Sequence, residues 1–141
     1  MHVLAAMLAG VVGTAVMTVL MGAGPAMGLA KMDMPRLLGT MLITNDPAAR
    51  RIGTVVHFAM GALLGAGYLL LWSWGLASAG WIGGSIIGFV HGLVAAATMP
   101  LMLRMHPRPP KLTLNAAAFV GIVLGHVVFG FVLGLTYLVV T

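Results

Sequence analysis

The chain has 141 residues, of which 61% are hydrophobic and only 6% are charged, and its formal net charge is +5. This composition lies far outside that of soluble domains and indicates a membrane protein with one domain, residues 1–141. The absence of cysteine excludes disulfides, thiolate metal sites and cysteine nucleophiles, and two carboxylates, Asp33 and Asp46, are too few for paired-carboxylate catalysis or an all-carboxylate metal cage.

Four apolar stretches each reach the roughly 20 residues that a transmembrane helix needs. They cover residues 3–30, 52–74, 81–103 and 114–140. The first has no Lys or Arg before it and is about twice as long as a signal-peptide core, so we interpret it as a transmembrane helix. The sequence therefore predicts an all-α, polytopic membrane four-helix bundle.

The cations lie between spans one and two and between spans three and four: Lys31, Arg36, Arg50, Arg51, Arg104, Arg108 and Lys111. The positive-inside rule therefore predicts a bacterial inner-membrane protein with both termini in the periplasm. Because these charges separate apolar spans, we expect the lipid bilayer and its anionic headgroups as partners, and no nucleic acid. Aromatic residues near the outer ends are expected to form an interfacial belt: Tyr68, Trp72, Trp74, Trp81 and Tyr137.

An internal repeat links the second and fourth spans. His57, Gly61, Gly65 and Tyr68 recur 69 positions later as His126, Gly130, Gly134 and Tyr137. These offsets place each set on one helix face. Asp46 and Asn115, which we interpret as helix N-caps, match at the same offset.

The first and third spans align more weakly, at an offset of 75 that pairs Gly10 with Ser85 and Gly13 with Gly88. The two halves, approximately 1–74 and 81–141, are therefore predicted to be helical hairpins related by a pseudo-twofold axis along the membrane normal, which is a parallel repeat. Glycines four residues apart allow close helix packing in lipid, and this is the simplest role for any single one of them.

Short motifs resemble those of a family of small four-helix bacterial integral membrane proteins of unknown function. The motifs are Met17-Thr18, Gly28 followed by Lys-Met-Asp-Met-Pro35 and Gly39, the paired His-x3-Gly stripes, and Met99-Pro100. The resemblance covers nearly the whole chain. It implies a fold but no biochemical activity, and it leaves open whether the protein is an enzyme.

The paired histidines are the main candidates for chemistry, since ionisable residues inside a membrane are rare and often functional. His57 and His126 each lie 11 residues after the predicted caps, roughly 16 Å along the helix. Two imidazoles at equal depth would suit bis-histidine ligation of haem b, with Gly61, Gly65, Gly130 and Gly134 leaving room for the macrocycle. The alternative is hydrogen bonding to neighbouring helices.

His91 has no counterpart in the first span, so it is predicted to hydrogen-bond a cofactor or quinone, or to pack between helices. Methionines at the cytoplasmic side offer a thioether path for copper as Cu(I), although methionine also fills irregular helix contacts.

Three functions follow from these residues. The first is a b-type haem electron-transfer or accessory subunit of a respiratory or quinone-linked assembly. The second is a non-catalytic structural or assembly subunit, with other membrane subunits or a homo-oligomer as partners. The third is a copper-handling permease that uses Met and His.

Overall fold

The computed structural model describes residues 2–141, which form helices and no strand. The helices are α1 (Val3–Ala23), α2 (Met34–Leu42), α3 (Asp46–Ser73), α4 (Trp81–Met105) and α5 (Ala116–Val140), with a 3-10 turn over Gly24–Met27. Within this range four helices are long and apolar enough to cross a membrane: α1 with its 3-10 turn, α3, α4 and α5. The prediction of an all-α fold with four apolar helices long enough to span a membrane is confirmed.

The first span ends earlier as an α-helix than its apolar run suggests. Pro25 opens the 3-10 turn, and Gly28 follows in the left-handed conformation at φ 76°. Glycine adopts this conformation without the steric cost that a Cβ would add. The chain can therefore leave the end of α1 and enter α2.

The four long helices differ in how closely neighbouring pairs pack. Helix α1 packs against α3 and α5, and α5 also packs against α4. Helices α3 and α4 are neighbours along the chain, yet they make only sparse contact with each other. The arrangement therefore has a closed seam between α1 and α5 and an open seam between α3 and α4.

Glycines bring the backbones of α1 and α3 together. A Cβ on Gly10 would lie 3.0 Å from the carbonyl carbon of Gly61 and 3.1 Å from the Cα of Gly65. Since backbone atoms cannot swing aside, a side chain at Gly10 would force the two helices apart. This contact fixes the face that α3 turns toward α1.

The same kind of contact joins α4 and α5. A Cβ on Gly84 would lie 3.0 Å from the carbonyl carbon of Gly130 and 3.4 Å from the Cα of Gly134. Gly88 lies one turn further along, where its Cβ would approach the Cα of Val127 at 3.2 Å. Each hairpin is thus built on glycine-mediated backbone contact.

The short helix α2 was not expected from the sequence. Asp33 caps it by accepting a hydrogen bond from the backbone N–H of Arg36 at 3.0 Å, and Pro35 stands in its first turn. Gly39 and Gly53 allow α2 to pack on the start of α3: a Cβ on Gly39 would lie 3.1 Å from the Cα of Ala49, and one on Gly53 would lie 2.7 Å from the backbone N of Gly39. Asp33 is therefore a helix cap rather than a solvated loop charge.

The caps of α3 and α5 are both asparagines. Asn115 accepts from the N–H of Ala118 at 3.0 Å, as predicted, whereas the cap of α3 is Asn45, which accepts from Ala48 at 3.1 Å. The prediction that Asp46 is the cap is off by one residue. Asp46 instead opens the helix, where its charge complements the helix dipole.

The predicted aromatic belt is wrong for three of its five members. Tyr68, Trp72 and Tyr137 are 2%, 7% and 9% exposed and belong to the core shared by α1, α3 and α5. Only Trp74 and Trp81 are well exposed, at 64% and 47%. Tyr68 and Tyr137 follow their glycine stripes on the same helix face, so they point toward neighbouring helices.

Candidate functional site

The open seam between α3 and α4 contains a cavity of about 490 Å³. Residues of α1 and α5 line it as well, so it reaches the interior of the helix arrangement. Its walls are almost entirely apolar, and its volume lies in the range typical of sites for small molecules and cofactors. This cavity is the candidate functional site.

Methionine and histidine dominate the cavity wall, with 12 of the 21 lining residues. All three histidines of the spans, His57, His91 and His126, are among them. The methionines are Met17, Met21, Met32, Met34, Met41, Met60, Met99, Met102 and Met105. The nine thioethers and three imidazoles give the wall a set of soft and nitrogen ligands.

His57 on α3 is a buried side chain without a hydrogen-bond partner. It is 7% exposed, and neither ring nitrogen bonds to any group among residues 2–141. Among residues 2–141, the one enclosed side-chain nitrogen or oxygen without a hydrogen-bond partner is Nε1 of Trp72, so the ring nitrogens of His57 keep some accessible surface. Its place in the cavity wall therefore marks His57 as a candidate ligand to a bound group.

His126 on α5 is held by its own helix. Its Nδ1 lies 2.7 Å from the carbonyl oxygen of Ile122, so Nδ1 carries the proton and donates it to that oxygen. The lone pair of Nε2 then remains available. Metal-ligating histidines commonly have this arrangement, in which one ring N–H binds a backbone carbonyl and fixes the tautomer.

His91 on α4 joins His126 to the aromatic core. The ring centroids of His91 and His126 are 4.5 Å apart at an angle of 72°. The Nδ1 of His91 and the hydroxyl of Tyr68 share a hydrogen bond of 3.2 Å, whose direction depends on the tautomer of His91. Of the three imidazoles, the pair brought into direct contact is therefore His91 and His126, while His57 lies in the same cavity wall.

The four stripe glycines do not supply the room that was expected for a macrocycle. Gly61 and Gly65 face α1, and Gly130 and Gly134 face α4 or the turn before it. Cβ atoms at these positions would collide with Thr14, Ala6, Gly84 and Gly80 respectively. Gly61 also borders the cavity, but open space for a ligand comes from the separation of α3 and α4.

No group of three His, Asp or Glu side chains that could hold a metal ion occurs among residues 2–141. A metal bound in the cavity would therefore need thioether ligands from methionine or ligands that arrive with a cofactor. Haem meets the second condition because the porphyrin supplies four nitrogen ligands and the protein supplies only axial ones.

A second, larger pocket lies beside the cavity at the end of the helices that carries the positive charges. It has a volume of about 1220 Å³, and Met32 and Met34 line both it and the cavity. We call it the basic pocket, since it is lined by Lys31, Arg36, Arg50, Arg51, Arg108 and Lys111 together with Asp33 and Asp46. Arg104 is the one Lys or Arg of the chain that does not line it.

Two residues without an assigned role in the sequence fasten α2 to the segment after α4. His106 is 4% exposed, and its Nε2 lies 3.0 Å from the carbonyl oxygen of Leu37. The guanidinium of Arg108 donates to the carbonyls of Thr40 and Thr44, each at 2.9 Å, and also to that of Ile43. No local sequence pattern indicates this contact, because Arg108 lies 64 and 68 residues after the carbonyls of Thr44 and Thr40.

Comparison with known proteins gives a family but no activity. Neither the curated proteins nor the solved structures contain a match to the chain. One family profile, described as a family of unknown function (DUF6789), matches residues 1–141. The chain belongs to this family, which agrees with the resemblance that the sequence motifs indicate.

Proposed function

We propose that this protein is a b-type haem membrane protein that passes electrons within a respiratory or quinone-linked assembly, with the haem in the cavity between α3 and α4. The observation that carries the proposal is His57, which lines an apolar cavity and whose ring nitrogens are accessible and have no hydrogen-bond partner among residues 2–141. A bound group that accepts the lone pair of one of these nitrogens would supply the partner that the chain itself does not.

The ligand set supports this proposal in two ways. His57 offers an unoccupied ring nitrogen, and His126 offers Nε2 while Nδ1 is held by Ile122. Haem needs no third protein ligand, which suits a cavity without a cluster of three ionisable ligands among residues 2–141. If His57 and His126 held a haem through their free ring nitrogens, the group would supply electron transfer rather than oxygen chemistry.

His91 acts in this proposal as a positioning residue. It lies against the ring of His126 and is itself bonded to Tyr68. Such a chain of contacts limits the rotation of the His126 ring, as outer partners do for other metal-bound histidines.

The proposal includes a membrane orientation and an internal repeat. We place both termini in the periplasm of a bacterial inner membrane, because the cations flank the same ends of the spans. The matched glycine contacts support two repeated hairpins, with Gly10 against Gly61 and Gly84 against Gly130. These contacts favour an offset of 74 between α1 and α4, where the sequence comparison suggested 75.

The test is the visible spectrum of the detergent-purified protein, produced in cells supplied with haem precursor and then titrated with haemin. We expect a low-spin spectrum with a split band on reduction, lost in His57→Ala and in His126→Ala and retained in His2→Ala. A wild-type protein that stays colourless after haemin titration would overturn the proposal and leave the structural or assembly subunit as the function.

Copper handling is a second candidate because nine methionines line the same cavity as the three histidines. Thioether and imidazole ligands suit Cu(I). Competition with a chromophoric Cu(I) chelator tests it: binding by wild-type protein that weakens in Met99→Leu and His57→Ala would support a copper site.

The positive charge of the basic pocket favours haem binding over Cu(I) transport. The cavity borders the basic pocket, where six cations outnumber two carboxylates, and a permeating cation would have to pass them. Like charges at such a mouth raise the energy of a cation and lower that of an anion. An entering Cu(I) ion would therefore be repelled at this end.

A further inference from the structure

The basic pocket has a surplus of positive charge that its own acidic residues do not balance. Arg36 pairs with Asp46 at 2.8 Å, and Arg50 lies 3.5 Å from Asp33. Arg108 is occupied by the carbonyls at the end of α2. Among residues 2–141, Lys31, Arg51 and Lys111 form no ion pair, and all three line the pocket.

These three cations come from different parts of the chain. Lys31 lies between the 3-10 turn and α2, Arg51 lies in the first turns of α3, and Lys111 lies between α4 and α5. The ion pairs and the Arg108 contacts hold these segments together, so the charges converge although the sequence separates them. Such convergence of cations concentrates positive potential in one concave surface.

We propose that the basic pocket binds the phosphate of an anionic phospholipid headgroup. Charge complementarity supports an anion, and the position of the pocket at the ends of the long apolar helices supports a lipid as its source. The wall also contains Met34, Pro109 and Leu112, apolar residues with accessible surface that suit the glycerol and upper acyl carbons of a lipid better than a free ion. This site is separate from haem binding and does not depend on it.

Native mass spectrometry of the purified full chain tests the proposal with phosphatidylglycerol and phosphatidylcholine of identical acyl chains. We expect phosphatidylglycerol to stay bound and phosphatidylcholine to dissociate. Lys31→Gln, Arg51→Gln and Lys111→Gln should each weaken phosphatidylglycerol binding about fivefold, the effect of one cation near a membrane surface.

Arg104→Gln is the matched control, since Arg104 carries the same charge outside the pocket. Equal retention of the two lipids, or equal losses in Arg104→Gln and Arg51→Gln, would overturn the proposal. Competition by inorganic phosphate as effective as that by the lipid would overturn it too, because it would indicate a site for free anions. If a variant fails to fold, the comparison of the two lipids on the wild-type chain still decides.

Discussion

Gly10 on α1 and Gly84 on α4 make matching contacts in two different hairpins. A Cβ on either glycine would come 3.0 Å from the carbonyl carbon of a glycine on the partner helix, Gly61 for one and Gly130 for the other. The next glycine of each partner lies 3.1 Å and 3.4 Å away. Neither position therefore has room for a side chain.

The first prediction follows from this match. Gly10→Ala and Gly84→Ala should each lower the free energy of unfolding by about 1–3 kcal/mol, since the new methyl group meets backbone that cannot move aside. Unfolding in mixed detergent micelles measures the loss. Gly22→Ala is the control, because its Cβ would meet nothing within 4 Å. A loss for Gly10→Ala alone would contradict the equivalence of the two positions.

The second prediction concerns the hydrogen bond between Tyr68 and His91. Tyr68→Phe removes the hydroxyl and should cost about 0.6 kcal/mol, the mean for hydrogen bonds between membrane helices, and no more than about 1.7 kcal/mol. Tyr137→Phe is the control at the repeated position, where the hydroxyl makes no hydrogen bond to residues 2–141. A double-mutant cycle with His91→Ala measures the coupling directly, and a coupling of zero would contradict the bond.

The third prediction concerns the attachment of α2. Arg108→Ala removes the donors to the carbonyls of Thr40 and Thr44 and should destabilise α2 locally by about 1–2 kcal/mol. Hydrogen exchange should then speed up in α2 and the first turn of α3, while the apolar centre of α5 stays protected. Arg104→Ala should leave both regions unchanged. Unaltered exchange in Arg108→Ala would show that the packing of Gly39 on Ala49 suffices.

The fourth prediction concerns membrane orientation. A reporter fused after Thr141 should be active only as a periplasmic reporter, and one inserted after Pro109 only as a cytoplasmic reporter, because all seven cations flank the same side. A cytoplasmic reporter that is active at Thr141 would reverse the proposed topology.

The long helices could be predicted because apolar length alone identifies a span. The weaker predictions depended on packing that the sequence does not display. Helix α2 was missed since it has only nine residues, including the charged Arg36, and lies between the first two apolar stretches. Its sequence signals, Asp33 followed by Pro35, are common in turns as well.

The sequence predicted which residues form the candidate site but not how they are arranged. The three histidines do line one cavity, but the rings in contact are those of His91 and His126, and the repeat drew attention to His57 and His126 instead. A sequence repeat indicates that two residues lie at the same depth along their helices. Whether their side chains touch depends on the distance between those helices. The glycine stripes did not indicate that α3 and α4 would make so little contact.

The difference in packing between the α1–α5 seam and the α3–α4 seam determines where the helices can separate most easily. Separating α1 from α5 would break an extensive helix interface, whereas α3 and α4 share so few contacts that moving them apart sacrifices little packing. The turn from Trp74 to Gly80 joins them at one end only, and two of its glycines, Gly75 and Gly80, have positive φ. Moving α3 and α4 apart would therefore disturb the packing of the chain least, whereas the contact between α1 and α5 would hold the helices together.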